Sequence, residues 1–206
     1  AVLRDLQGAY ALPESALGPL TSAVQVGFIV GTLAFATLRI ADRFAPSRVF
    51  LVSALLGAAC NAAIGVVATE MPSILAARFL TGLFLAGIYP VGMKIAADWF
   101  DADLGRALGW LVGALVLGTA FPHLLRFLAA DVPWQRVLQG ASALAAAGGA
   151  LLWVTVPDGP HRARGAVFRP SAIVDIFRAP AFRSAAFGYF GHMWELYAFW
   201  AFVPLL

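Results

Sequence analysis

The chain has 206 residues, 61% hydrophobic and 12% charged, with a mean hydropathy of +0.83 and a formal net charge of +3. Soluble domains carry roughly 25% charged residues, so this balance excludes an ordinary soluble globule and points to an integral membrane protein. The positive charges stand singly between apolar runs, with no basic stripe or interleaved aromatics, which argues against a nucleic-acid partner.

The chain opens on Ala1-Val2-Leu3-Arg4-Asp5, without an initiator Met or a signal-peptide pattern. It stops at Val203-Pro204-Leu205-Leu206, inside an apolar run. Both ends read as cut, so the expectation is a fragment of a longer protein. Six apolar runs follow one another: Leu20–Ile40, Val49–Ala68, Ser73–Trp99, Leu108–Phe127, Val137–Val156 and Ala185–Leu206. Each is about the ~20 residues that a helix needs to cross a bilayer. Lipid accepts only helices or closed barrels, because every backbone polar group needs an internal partner. These runs are too long, and alternate too little, for the ~10-residue strands of a barrel. The expected fold is all-α: a polytopic transmembrane helical bundle with six spans visible.

The connections are short except for one. Thr69-Glu70-Met71-Pro72 and Asp101-Ala102-Asp103-Leu104-Gly105-Arg106 read as tight turns, with Pro72 suited to a first helical turn. Pro157–Arg183 is long and rich in Arg and Pro. Within it, Ser171–Arg178 reads as a short interfacial helix capped by Ser171. The expected organisation is a bundle over 1–156, a linker over 157–183, and the first helix of a second bundle over 184–206. Lys and Arg counts set the orientation. Arg39, Arg43, Arg48, Lys94, Arg106 and the five linker arginines fall on one side; Arg4, Arg126 and Arg136 fall on the other. The first group and the linker are expected in the cytoplasm, and the first nineteen residues outside it.

Leu38–Arg48 is the most informative turn. Ala41-Asp42-Arg43, with Arg48 before the next helix, resembles the cytoplasmic signature between helices two and three of the major facilitator superfamily. Ala45 replaces the usual glycine, and Pro46-Ser47 stand where basic residues often stand. Arg78-Phe79-Leu80-Thr81-Gly82 through Gly87-Ile88-Tyr89-Pro90 resembles the fourth helix of that family. Gly105-Arg106-Ala107-Leu108-Gly109 resembles the turn into the fifth. The resemblance implies a fragment covering roughly helices two to seven of a twelve-helix fold, with the first helix mostly missing. It also implies a monomeric secondary transporter in a bacterial cytoplasmic membrane, with a small-molecule substrate, no cofactor and no metal.

Polar groups inside hydrocarbon are costly and invite a functional reading. Glu195 lies mid-span, and His192, three residues earlier, shares its helix face. A carboxyl group that takes up and releases a proton there suits coupling to a proton gradient; the alternative is a pair that only holds helices together. Trp194 stands between them. Arg78 and Tyr89 are eleven residues apart, about three helical turns, so one continuous helix sets them on one face. That face suits a small organic anion; the alternative is an arginine bonded to carbonyls. Gln25, Asn61 and His123 are lesser candidates, more often helix-to-helix hydrogen bonds than substrate contacts.

Asp42, Arg43, Arg48, Asp98 and Arg106 resemble the cytoplasmic gate of the family, with Arg43 expected to pair with Asp98 in one conformation. The alternative is that they only set topology at the headgroups. Gly105, Gly109 and Gly113, spaced by four, suit close helix packing. Gly118 and Pro122 do not form the adjacent Gly-Pro motif of the antiporter branch, which favours symport or uniport. Trp99, Trp110, Trp134 and Trp153 are expected at the membrane interfaces. Cys60 reads as a small buried residue. Two other classes are weighed: a membrane-embedded enzyme, for which no Gly-x-Ser-x-Gly, His-Glu-x-x-His or P-loop is present, and a non-transporting scaffold or receptor.

Overall fold

The computed structural model describes residues 3–67, 70–128, 132–162 and 171–202. Helix α1 (Leu3–Ala9) and a 3₁₀ turn (Glu14–Ala16) precede α2 (Leu17–Thr37). Then come α3 (Ile40–Arg43), α4 (Pro46–Ala63), α5 (Met71–Leu85), α6 (Tyr89–Trp99), α7 (Leu104–Leu128) and α8 (Trp134–Thr155). A second compact unit holds α9 (Ser171–Arg178) and α10 (Pro180–Phe202). No strand occurs among the described residues.

The boundaries follow local chemistry. Arg39 takes a left-handed conformation (φ 53°) that stops α2 and turns the chain into the single turn of α3. Phe44 and Ala45 are extended, and Pro46 opens α4 where its missing N–H leaves no bond unmade. Glu70 caps α5, its N–H donating to Ser73 Oγ at 3.2 Å.

Five helical segments are long and apolar enough to cross a membrane: Leu17–Thr37, Pro46–Ala63, Met71–Trp99, Leu104–Phe121 and Trp134–Thr155. The sixth expected run is α10, which begins at Pro180 and has 23 residues. It is not among the five. Arg183, His192 and Glu195 lower its hydropathy, so the structure supports five spans where the sequence suggested six.

The run read as one helix over Ser73–Trp99 is two. The chain turns at Ala86–Ile88, and Pro90, in the first turn of α6, has no N–H to continue the ladder. Arg78 and Tyr89 therefore sit on different helical segments, and their eleven-residue spacing no longer places them on one face.

Helices α2 and α5 form the closest pair. A Cβ on Gly27 would strike the Phe79 carbonyl, and one on Gly82 the Val24 carbonyl, so the two backbones touch. Glycine at these positions is required by contact with backbone, which no rotamer change relieves. Helix α4 packs on α8, where Asn61 Nδ2 donates to Ser142 Oγ at 3.0 Å and to the Leu138 carbonyl at 3.3 Å. Asn61 is thus the helix-to-helix bond that the sequence suggested. The expected packing role of Gly105, Gly109 and Gly113 is not seen: a Cβ on each would meet open space. Trp134 stands at a span end as expected, the first residue of α8. It is buried, edge-on to Tyr10 with centroids 6.0 Å apart.

Two cores mark the two ends of the first unit. Leu20, Ile64, Ile74, Trp134 and Leu138 close one end beneath α1. Val49, Val91 and Ile95, with Phe35 and Leu152, close the other, which carries the charged groups.

Candidate functional site

The charged end of the first unit is where helix termini converge. Asp42 lies in α3, Lys94 and Asp98 one turn apart on α6. Lys94 Nζ stands 3.1 Å from Asp42 Oδ1 and 3.5 Å from Asp98 Oδ1, so one ammonium bridges two carboxylates on different elements. Asp98 is 6% exposed, and its Oδ2 has no hydrogen-bond partner among the described residues. A carboxylate this buried is strongly dependent on its cation, since an uncompensated buried charge is costly.

Sequence reasoning expected Arg43 at Asp98. The structure puts Lys94 there instead; Arg43, Arg48 and Arg106 are exposed and form no ion pair among the described residues. By charge count, the sequence alone marks Lys94 only as a topology charge. Its signal was available: Lys and Asp at i and i+4 on one helix are natural partners.

The start of the 157–183 segment folds back onto this cluster. Trp99 Nε1 donates to the Pro157 carbonyl at 3.0 Å, and the His161 N–H to the Asp98 carbonyl at 3.0 Å. Gly159 lies so close to the Asp98 backbone that a Cβ would collide with it. Arg162 forks, donating from one nitrogen to Asp158 Oδ2 at 2.6 Å and from the other to the Phe44 carbonyl at 2.7 Å. Residues 157–162 are therefore an arm that ties the end of α8 to the end of α6 and to the signature turn. Arg162→Ala removes both donors, at a cost of about 1–2 kcal/mol. Limited trypsinolysis of the full-length protein should then cut at Arg164 several times faster; an unchanged rate would show that the arm is held by something else.

Beside Lys94 and Asp42 lies a pocket of about 180 Å³, also lined by Arg39, Thr32, Phe35 and Pro90. Thr32 Oγ1 is buried there without a hydrogen-bond partner among the described residues.

The remaining candidates are dispersed. Arg78 is partly buried on α5, with its Nε unpartnered among the described residues. Tyr89 is partly buried at the start of α6, and Gln25 is exposed on α2. In the second unit, His192 Nδ1 and Glu195 Oε2 are 3.9 Å apart on one face of α10, as their spacing predicts. Both are exposed, and Trp194 is 77% exposed. The side chain of His123 lies outside the described residues.

These features define a polytopic α-helical membrane protein whose charged groups gather at one end of a bundle. The chain belongs to the Major Facilitator Superfamily, whose family model matches residues 1–206. It is similar to the niacin transporter NiaP of Acinetobacter baylyi, with 30% identity over 145 residues, 64% of this chain and 32% of the relative. It is 36% identical over 103 residues to a chloramphenicol resistance protein of Streptomyces lividans, covering 50% of this chain and 26% of that protein. It is 28% identical over 130 residues to the 3-(3-hydroxy-phenyl)propionate transporter of Escherichia coli, covering 63% and 32%. The matched part is thus about a quarter to a third of each relative's length. No solved structure gives a significant match.

Proposed function

We propose that this chain is part of a secondary transporter that moves a small organic anion by alternating access, coupled to protons, with Asp42, Lys94 and Asp98 in its cytoplasmic gate. The observation that carries this reading is the bridged cluster: one cation holds two carboxylates on separate elements, and Asp98 is nearly buried. A cluster held by one shared cation pairs here and would part when its elements separate, which is what a gate needs. Two relatives are named for transport of small organic solutes, niacin and a phenylpropionate.

Arg78, whose Nε has no hydrogen-bond partner among the described residues, supplies a cation for an anionic solute. Glu195, with His192 one turn away, supplies the group that exchanges the proton. In the full-length protein, Glu195→Gln is expected to abolish gradient-driven uptake while leaving solute exchange intact. Gradient-driven uptake that survives the substitution would remove Glu195 from the coupling role.

A second reading, export of an uncharged or drug-like solute, is favoured by the likeness to a chloramphenicol resistance protein. The direction of solute movement under an imposed proton gradient separates the two.

A further inference from the structure

A groove of about 320 Å³ lies on the first unit between α2, α4 and α5. Phe35, Phe44, Val52, Leu56 and Phe84 line it, together with Arg48. It shares Phe35 with the pocket beside Lys94 but none of the residues of the Lys94 cluster.

Its geometry follows the membrane. Arg48 is the third residue of α4 and Leu56 lies eight residues on, so the groove runs about 12 Å along the helix. Arg48 stands in the first turn of a candidate span, next to the charged turn, and Leu56 stands near its middle. Val52 and Leu56 are 53% and 43% exposed, so the wall is open on the first unit. Arg48 is exposed and forms no ion pair among the described residues, and the equally unpaired Arg43 stands five residues before it. A concave apolar slot with the Arg48 guanidinium in its lining complements a molecule that has an anionic head and a hydrocarbon tail. Guanidinium matches phosphate oxygens with two parallel donors. Cations just outside a span also attract the anionic lipids of the leaflet they face.

We infer that this groove is a binding site for an anionic phospholipid, with Arg48 on the headgroup phosphate and one acyl chain lying along Val52 and Leu56. The bound lipid would wedge the signature turn against α2 and α4. Arg48 then acts as a lipid ligand rather than as a partner in the gate.

The test is native mass spectrometry of the full-length protein extracted from vesicles containing equal parts phosphatidylglycerol and phosphatidylcholine. Wild type should retain phosphatidylglycerol in preference to phosphatidylcholine. Arg48→Gln should lower that retention about fivefold, the weight of one cation at an anionic surface. Arg48→Lys should keep most of it, and Leu56→Trp, which fills the slot, should lower it while leaving Arg48 in place. Arg136→Gln, a cation on the first turn of α8, should change nothing. Equal retention of both lipids would overturn the proposal, as would full retention in Arg48→Gln. Unchanged retention in Leu56→Trp would mean that no chain occupies the groove. Displacement by inorganic phosphate alone would assign the site to a soluble anion, and would overturn it as well.

Discussion

Lys94→Met is expected to destabilise the full-length protein by about 3–5 kcal/mol, because it strands a buried carboxylate. Asp98 is 6% exposed and draws its compensation from Lys94 at 3.5 Å. Asp42 loses its partner at the same time, but it is more exposed and will be rehydrated, so most of the cost falls on Asp98. A fall of several degrees in the thermal midpoint should follow. Adding Asp98→Asn should recover most of it, since a neutral amide of the same shape needs no cation. Transport should stay impaired in the double variant, because the cluster can no longer pair and part. If the single variant is as stable as wild type, the Lys94 bridge is not what balances Asp98.

The second large effect concerns how α2 seats against α5. Gly82→Val is expected to prevent the folded monomer from accumulating. The new Cβ would strike the Val24 carbonyl, and Gly27 already places the facing backbone at Phe79 with no slack. Overpacking a core typically costs 1–3 kcal/mol when side chains can shift. Here the obstacle is backbone, so the whole helix must move and the cost is higher. Gly18→Ala on the same α2 helix meets nothing within 4 Å and should be neutral. Size-exclusion profiles in detergent distinguish the two. Equal monomer yields from both variants would show that α2 and α5 are less tightly seated than they stand here.

Much of the bundle was legible because hydrocarbon is a strict solvent. Runs of about twenty apolar residues have few alternatives to helices, and α2, α4, α7 and α8 fall near their expected places. What the pattern hides is which partner each face meets. Gly27 with Gly31, and Gly105 with Gly109 and Gly113, have the same four-residue spacing. The first pair meets α5, and the second set meets open space. Spacing describes a surface that permits close approach; it does not supply the neighbour.

The break before α6 was readable in principle, since Gly87 and Pro90 are both helix breakers, but the uninterrupted apolarity of Ser73–Trp99 masked it. In the Lys94 cluster, the resemblance points to Arg43 as the cation, while the ladder of α6 carries Lys94 to Asp98 four residues on. The arm at 157–162 was read as plain linker. Its Pro-Asp-Gly-Pro start is a turn signature, and the need for glycine arises only from the approach of Asp98.

The most direct measurement is uptake of a panel of small organic anions by the full-length protein in proteoliposomes, with and without an acid-outside gradient. Saturable uptake of at least one anion, faster with the gradient and lost in Lys94→Met, is the expected result. Uptake no faster than in empty vesicles across the panel, or equal uptake by Lys94→Met and wild type, would contradict a proton-coupled transporter gated at Asp42, Lys94 and Asp98.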